Sequence, residues 1–219
     1  MSRELKARDD LVRLGRALYD RGVTHGRTGN LSQLVGDRII VTPTGSCLGR
    51  LDPAQLAVVD LSGARVTGPP PSKEIVLHLA LYQEHPDIGA VAHVHSTNAV
   101  AWSCLDRLDL DNALPPLTAY FVMRVGNLPV VRYIPPGAPA LAEAVREANS
   151  YCVLLAHHGS VAGAPTLEAA VDAVEEIEET ARIALLLRGT SHRHLTNEQV
   201  NSLLLSTPLE NMTTTRDGR

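Results

Sequence analysis

The sequence predicts one mixed α/β domain, and three observations carry that prediction. Apolar residues recur at helical spacing in several charged segments, which marks amphipathic helices. Short β-branched runs bounded by Gly, Pro and Asp alternate with those segments, which marks strands. A chain of 219 residues is long enough for one large domain or two small ones, and no repeat, low-complexity tract or linker divides it.

Leu11, Leu14, Leu18 and Tyr19 predict a helix over residues 4–21, stopped by Gly22. "THGRTGN" (24–30) reads as a polar loop, and "LSQLV" with "RIIVTP" as a hairpin turning at Gly36–Asp37. "TPTGSCLGRLDP" is a second loop, followed by a strand pair around "SG" in "LAVVDLSGARVTG". After "PPPS", "KEIVLHLALYQEH" predicts a helix ending at Pro86. "IGAVAHVHS" has the small and branched residues of a buried strand, and "NAVAWSCL" starts a short helix. Residues 128–134 read as a strand and "PALAEAVREAN" as a helix. "CVLLAHHGS" is a strand ending in a loop, and "TLEAAVDAVEEIEETARIALLLRG" a long helix. From Thr190 the chain is polar, with only "NEQVNSLLL" helical, so residues 1–219 form one domain with 190–219 as a C-terminal tail.

Composition narrows the function. A net charge of −4 and an aromatic content of 3% offer neither a basic footprint nor stacking platforms for nucleic acid. No apolar run approaches the ~20 residues that span a bilayer, and the charged N-terminus is not a signal peptide. Cys47, Cys104 and Cys152 are odd in number and share no paired spacing, as in a reduced, cytoplasmic protein.

Chemistry concentrates in a few motifs. His93 and His95 of "HVHS" stand two apart in a strand, so both project to one face and can converge on one ion. Zinc accepts imidazole nitrogen, and a catalytic zinc keeps three protein ligands and an open position. A lone HxH pair is as often two hydrogen-bonded histidines, so a third ligand matters. "HHG" supplies candidates: His157 and His158 are adjacent, face opposite ways, and at most one joins the pair. "TGN" (28–30), "TPTG" (42–45) and "PSKE" (71–74) bring Gly, hydroxyl and amide groups into loops suited to phosphate, although each alone is also an ordinary turn. Ser72 fits a helix N-cap, and Glu74 fits either a carboxylate complementing the helix dipole or a general acid/base. "AVEEIEETAR" on the long helix reads as a solvated face and carries no site.

In this order, "TGNLS", "TPTG", "PSKE", "HVHS" and "HHG" resemble the class II aldolase/adducin family of zinc sugar-phosphate enzymes, over about residues 8–190. The resemblance implies a three-layer α/β/α fold with a mostly antiparallel sheet, assembled as a cyclic homotetramer with active sites between subunits. It implies zinc, or another divalent ion such as manganese or cobalt, on His93, His95 and His158. His157 is then the non-ligand. Asn30, Thr44, Gly45 and Ser72 match the family's phosphate-binding positions, and Glu74 its acid/base. Tyr120 matches its interface tyrosine, and is expected to bind substrate from the subunit boundary.

Within the family, "SCLGRLDP" (46–53) and "LPPLTAYFVMRVG" (114–126) are most similar to the 3-oxo-tetronate 4-phosphate decarboxylase branch. Lys73 stands where fuculose-phosphate aldolases carry a second serine, and is expected to engage the substrate phosphate or carboxylate. Asn98 replaces a histidine of relatives and weakens an epimerase assignment. The expected reaction is decarboxylation to dihydroxyacetone phosphate and CO2 through a metal-stabilised enediolate, with an L-fuculose-phosphate-like aldolase or a 4-epimerase as the alternative. A non-catalytic adducin-like module need not keep a metal site, and the intact His93, His95, His158 and Glu74 set argues against it.

Overall fold

A computed structural model describes residues 2–206 of the chain. Its elements run α1 (Arg3–Asp20), β1 (Asn30–Val35), β2 (Arg38–Val41), β3 (Ala57–Asp60), β4 (Arg65–Thr67), α2 (Ile75–Glu84), β5 (Ala90–Val94) and α3 (Thr97–Ser103). They continue with α4 (Ala119–Arg124), β6 (Val130–Val131), α5 (Pro139–Ala148), β7 (Cys152–Leu155), β8 (Gly159–Ala164), α6 (Leu167–Leu187) and α7 (Asn197–Ser206). The strands form one eight-stranded sheet in the order β4-β3-β2-β1-β5-β8-β7-β6. Every pairing is antiparallel except β6 with β7.

Helices cover both faces, which makes the fold a three-layer α/β/α sandwich. In β5, Ala90, Ala92 and Val94 pack into a core with α1, α3, α4 and α6, while Val91 faces α2 and α5. That alternation is the strand period of two, and it carries His93 to the α2 side. Ile39, Val41, Ala57 and Val59 extend the second face under Ile75 and Leu79 of α2. With apolar residues on most sides, α2 lies buried between the sheet and α5, where a charged or polar side chain is costly unless partnered.

Three sequence expectations change. The "GS" that ends "CVLLAHHGS" is not loop but the start of a strand with no sequence prediction, β8, paired with β5 on one side and β7 on the other. Its small residues have low intrinsic strand preference, and the central position overrides that preference. A Cβ on Gly163 would lie 2.4 Å from Ile88 Cδ1, so close packing explains the composition. The six-residue α4 went unpredicted, too short to show a periodic signal. Its N-cap is Thr118, whose hydroxyl accepts from Phe121 N. Helix α2 starts at Ile75, not Lys73, with Glu74 as its N-cap residue. Ser72 is therefore not the N-cap. Its Oγ accepts from Glu74 N at 3.3 Å in the preceding turn.

Cys47 and Cys152 are buried and Cys104 is exposed, all three as free thiols. Among the described residues, no helix is long and apolar enough to cross a membrane. The described part of the tail packs α7 against α4, and Leu195 N donates to Pro116 O at 3.0 Å. The remainder of the expected tail lies outside the described residues.

Candidate active site

Three histidines converge at one end of β5 and β8. His93 is the fourth residue of β5, and His95 lies just past the strand's end with the same parity. The turn joining β7 to β8 delivers His158. His157 there takes a left-handed φ of 57°, and its exposed ring turns to Tyr133 at 6.2 Å. The adjacent pair does separate, through a turn and not by strand alternation. Gly159 is required by contact: a Cβ there would lie 2.2 Å from Val94 O. Gly29 serves the same end opposite, where a Cβ would meet His93 O at 2.9 Å and φ is +79°. Both glycines let loop backbone close against the histidine strand.

The imidazole centroids lie 4.8 Å (His93–His95), 4.9 Å (His93–His158) and 4.6 Å (His95–His158) apart. With Glu74, one ligating atom from each of the four residues falls within 4.8 Å of all the others. His93 Nδ1 donates to Ser160 O at 2.9 Å, which leaves Nε2 as a lone pair facing the cluster. That Nε2 lies 3.0 Å from His95 Nε2 and 3.5 Å from Glu74 Oε2. Burial, with His93 and His158 alongside, pulls the His95 imidazole down to about 3, so it is neutral near pH 7. His158 Nε2 and Glu74 Oε1 approach to 3.1 Å out of alignment, and both are buried without a hydrogen-bond partner among the described residues.

Burial pushes the Glu74 carboxyl up, but His158 and His93 outweigh it and hold the group well below the usual carboxylate range. A buried carboxylate and three converging imidazoles, with Glu74 Oε1 and His158 Nε2 left unpartnered among the described residues, present donor atoms that a cation would satisfy. The donor set, three imidazoles and a carboxylate, is what zinc and similar divalent ions accept. The residues fit a metal.

The three loops meet at this cluster. Ser72 N donates to Thr42 O and Thr44 N to Pro70 O, each at 3.1 Å, so "TPTG" and "PSKE" are stitched together. Leu31 N donates to Thr42 Oγ1 at 3.2 Å, which ties in the "TGN" strand. Thr44 and Gly45 are exposed at the rim and Ser72 is buried behind them. Thr44 N–H is already engaged, whereas Gly45 N–H donates to no group among the described residues. Asn30 is buried, with Nδ2 donating to Glu74 Oε2 at 3.0 Å. Lys73 is exposed, its stem 3.5 Å from where a Gly137 Cβ would stand. Tyr120 is 61% exposed on α4, and the Arg124 guanidinium lies 5.5 Å over its ring.

A family model for the class II aldolase and adducin N-terminal domain matches residues 9–185. The chain belongs to the class II aldolase and adducin family. This family member is 46% identical over 203 residues to a 3-oxo-tetronate 4-phosphate decarboxylase of Haemophilus influenzae, covering 91% of this chain and 97% of the relative. It is 35% identical over 175 residues to an L-fuculose phosphate aldolase of Methanococcus vannielii, covering 80% of this chain and 93% of that one. The crystal structure of YgbL from Escherichia coli superposes with a TM-score of 0.90 at 40% identity, over 93% of this chain and 100% of that one.

Two features of this class II aldolase-family site escaped the sequence reading. Glu178, half-buried within "AVEEIEETAR", accepts from Asn98 N, Asn98 Nδ2 and Ala99 N at 2.7–3.0 Å, so that segment is not wholly a solvated face. Its carboxylate holds the start of α3, directly after His95. The second feature is His78, fully buried in α2 and bonded to Asn30. A histidine inside "IVLHLALY" was the available signal, since buried imidazoles need partners.

Proposed function

We propose that this protein decarboxylates a 3-oxo-tetronate 4-phosphate to dihydroxyacetone phosphate and CO2, with a divalent ion, zinc in the first instance, on His93, His95 and His158. The observation that carries this reading is the buried Glu74–His93–His95–His158 cluster. Relatives named 3-oxo-tetronate 4-phosphate decarboxylase, 42–46% identical, support the substrate class. A metal-dependent lyase is the reaction type.

When bound, the cation supplies a Lewis acid that draws charge from the substrate's oxygens as the bond to CO2 breaks. The chain's own groups do the rest. The rim at Thr44 and Gly45, with Ser72 and Asn30 behind it, holds the phosphate end and positions the reacting carbons. Lys73, free at the edge, neutralises the phosphate or carboxylate. Breaking C1–C2 leaves an electron pair on C2, which must take a proton. Glu74 delivers it after taking up one from solvent, so each turnover consumes one proton.

The same reading makes residues 1–219 one domain of a cytoplasmic homotetramer, with Tyr120 near a subunit boundary. Its 61% exposure on α4 supports that placement.

The deciding experiment offers 3-oxo-tetronate 4-phosphates beside L-fuculose 1-phosphate to the metal-loaded enzyme. CO2 from the first without cleavage of the second is expected. The reverse pattern would establish the aldolase that the 35% identical relative suggests. Glu74→Gln is expected to lower kcat by about 10²–10⁴-fold, the range of a lost general acid.

A further inference from the structure

Behind Glu74 lies a chain of buried polar side chains that the reaction as described does not use. Glu74 at the N-cap of α2, then His78 and Tyr82 within it, stand four residues apart, and Asn30 and Ser32 stand two apart along β1. Four helical residues rise about 6 Å and two strand residues about 6.7 Å, so the two rows interdigitate. The contacts alternate between them. Tyr82 Oη lies 2.9 Å from Ser32 Oγ, Ser32 Oγ 2.7 Å from His78 Nδ1, and His78 Nε2 2.6 Å from Asn30 Oδ1. Asn30 Nδ2 completes the row at 3.0 Å from Glu74 Oε2. Asn30, Ser32 and His78 are 3%, 0% and 0% exposed, so the chain is dry along its middle.

Proton placement follows from the last link. A carboxylate only accepts, so the Asn30 amide nitrogen faces Glu74 and its oxygen faces His78. That oxygen requires a proton on His78 Nε2. A neutral ring then has a lone pair on Nδ1, which takes the Ser32 hydroxyl proton, and Ser32 accepts from Tyr82. Every donor points towards Glu74. Burial pulls His78 down to about 3, consistent with a ring carrying one proton. Hydrogen bonds aligned in one sense strengthen one another in a low-dielectric interior.

We propose that His78, held as its Nε2–H tautomer by Ser32 and Tyr82, is a positioning residue that locks the Asn30 amide so that Glu74 keeps its orientation towards the substrate. The role rests on the proposed acid/base function of Glu74. Without His78 the amide is free to flip and present its oxygen to the carboxylate, where two acceptors repel. The remainder of the cluster needs nothing from this row, because His93 takes its orientation from Ser160 O.

Two measurements on the full-length, metal-loaded protein test this. Ring ¹⁵N NMR of wild type at pH 7 is expected to show His78 as a single neutral Nε2–H tautomer, and an Nδ1–H tautomer or an exchange average would overturn the proposal without any variant. In kinetics, His78→Leu is expected to lower kcat by about tenfold to a hundredfold, as misplacement of a catalytic group does, with a smaller change in KM and metal content unchanged. His78→Gln, which restores an N–H donor to Asn30, should recover most of the loss, and Ser32→Ala should lose an intermediate amount. A kcat loss tracking metal loss, or one that Gln does not recover, overturns the positioning role. If wild type itself fails on the keto-acid phosphates, the substrate reading fails, while the NMR result still decides the tautomer.

Discussion

His93 Nδ1 donates to Ser160 O across 2.9 Å, and this bond joins β5 to β8, the strand that begins directly after His158. It fixes the ring's tautomer and aims Nε2 at the neighbouring imidazoles. Outer partners of this kind tune affinity by about 10–100-fold, and the ligands themselves contribute more. His95→Ala is therefore expected to weaken divalent-ion binding by at least about a hundredfold. Metal analysis after dialysis against a weak chelator would show it, and wild-type stoichiometry in the variant would remove His95 from the ligand set.

Gly159 leaves no room for a side chain. An added Cβ would lie 2.2 Å from Val94 O and 3.1 Å from His95 Cα, both backbone atoms that cannot rotate away. Gly159→Ala must part β8 from β5, at a cost of about 2 kcal/mol or more. For a chain of this size that is a fall in Tm of about 4–8 °C. Because the shift falls between His158 and His95, metal affinity is expected to fall with it. Calorimetry together with metal titration checks both, and an unchanged Tm contradicts the contact.

Lys73 is exposed, and among the described residues its ammonium forms no ion pair. A charge-assisted contact made only with substrate is worth about 1.4 kcal/mol or more, or tenfold in affinity. Lys73→Ser is expected to raise KM for the keto-acid phosphate about tenfold at little change in stability. Kinetics indistinguishable from wild type would assign the lysine to solvent alone.

His78 gives the metal-free protein an acid-sensitive core. Burial pulls its pKa down to about 3, against about 6.5 in an unfolded chain. Between those values the unfolded state binds one more proton, so stability rises with pH through the window. The contribution is complete above about pH 6.5 and is lost as pH falls towards 3. At pH 5 the loss is about 2 kcal/mol, at 1.4 kcal/mol per unit. His95 is lowered in the same direction, so the difference between wild type and His78→Gln isolates the His78 share. Urea unfolding at pH 7.5 and pH 5.0 should show a smaller pH effect in the variant, and equal effects would show that His78 is not buried neutral.

Much of this was legible in residue order. The period of two placed His93 and His95 on one face, and helical spacing marked α1, α5 and α6, because side-chain direction in a regular element depends on local geometry alone. Five short motifs in order marked the family. The strand β8 was not legible, since Gly, Ala and Ser enter a central strand only when neighbours on both sides supply hydrogen bonds and space. Nor was the separation of His157 from His158, which depends on a left-handed turn closing against Val94.

Sequence by itself therefore determined the chemistry available: three imidazoles, a carboxylate and three anion-suited loops on a mixed α/β chain. Tertiary structure decided what those groups touch. Asn30 and Glu74 are 44 residues apart, and only the packing of α2 across β1 sets an amide against a carboxylate at 3.0 Å. The row from Tyr82 to Glu74 exists because helix rise and strand rise nearly coincide over matching steps. No local pattern encodes that registry. It appears when the sheet and the helix bury the same surface.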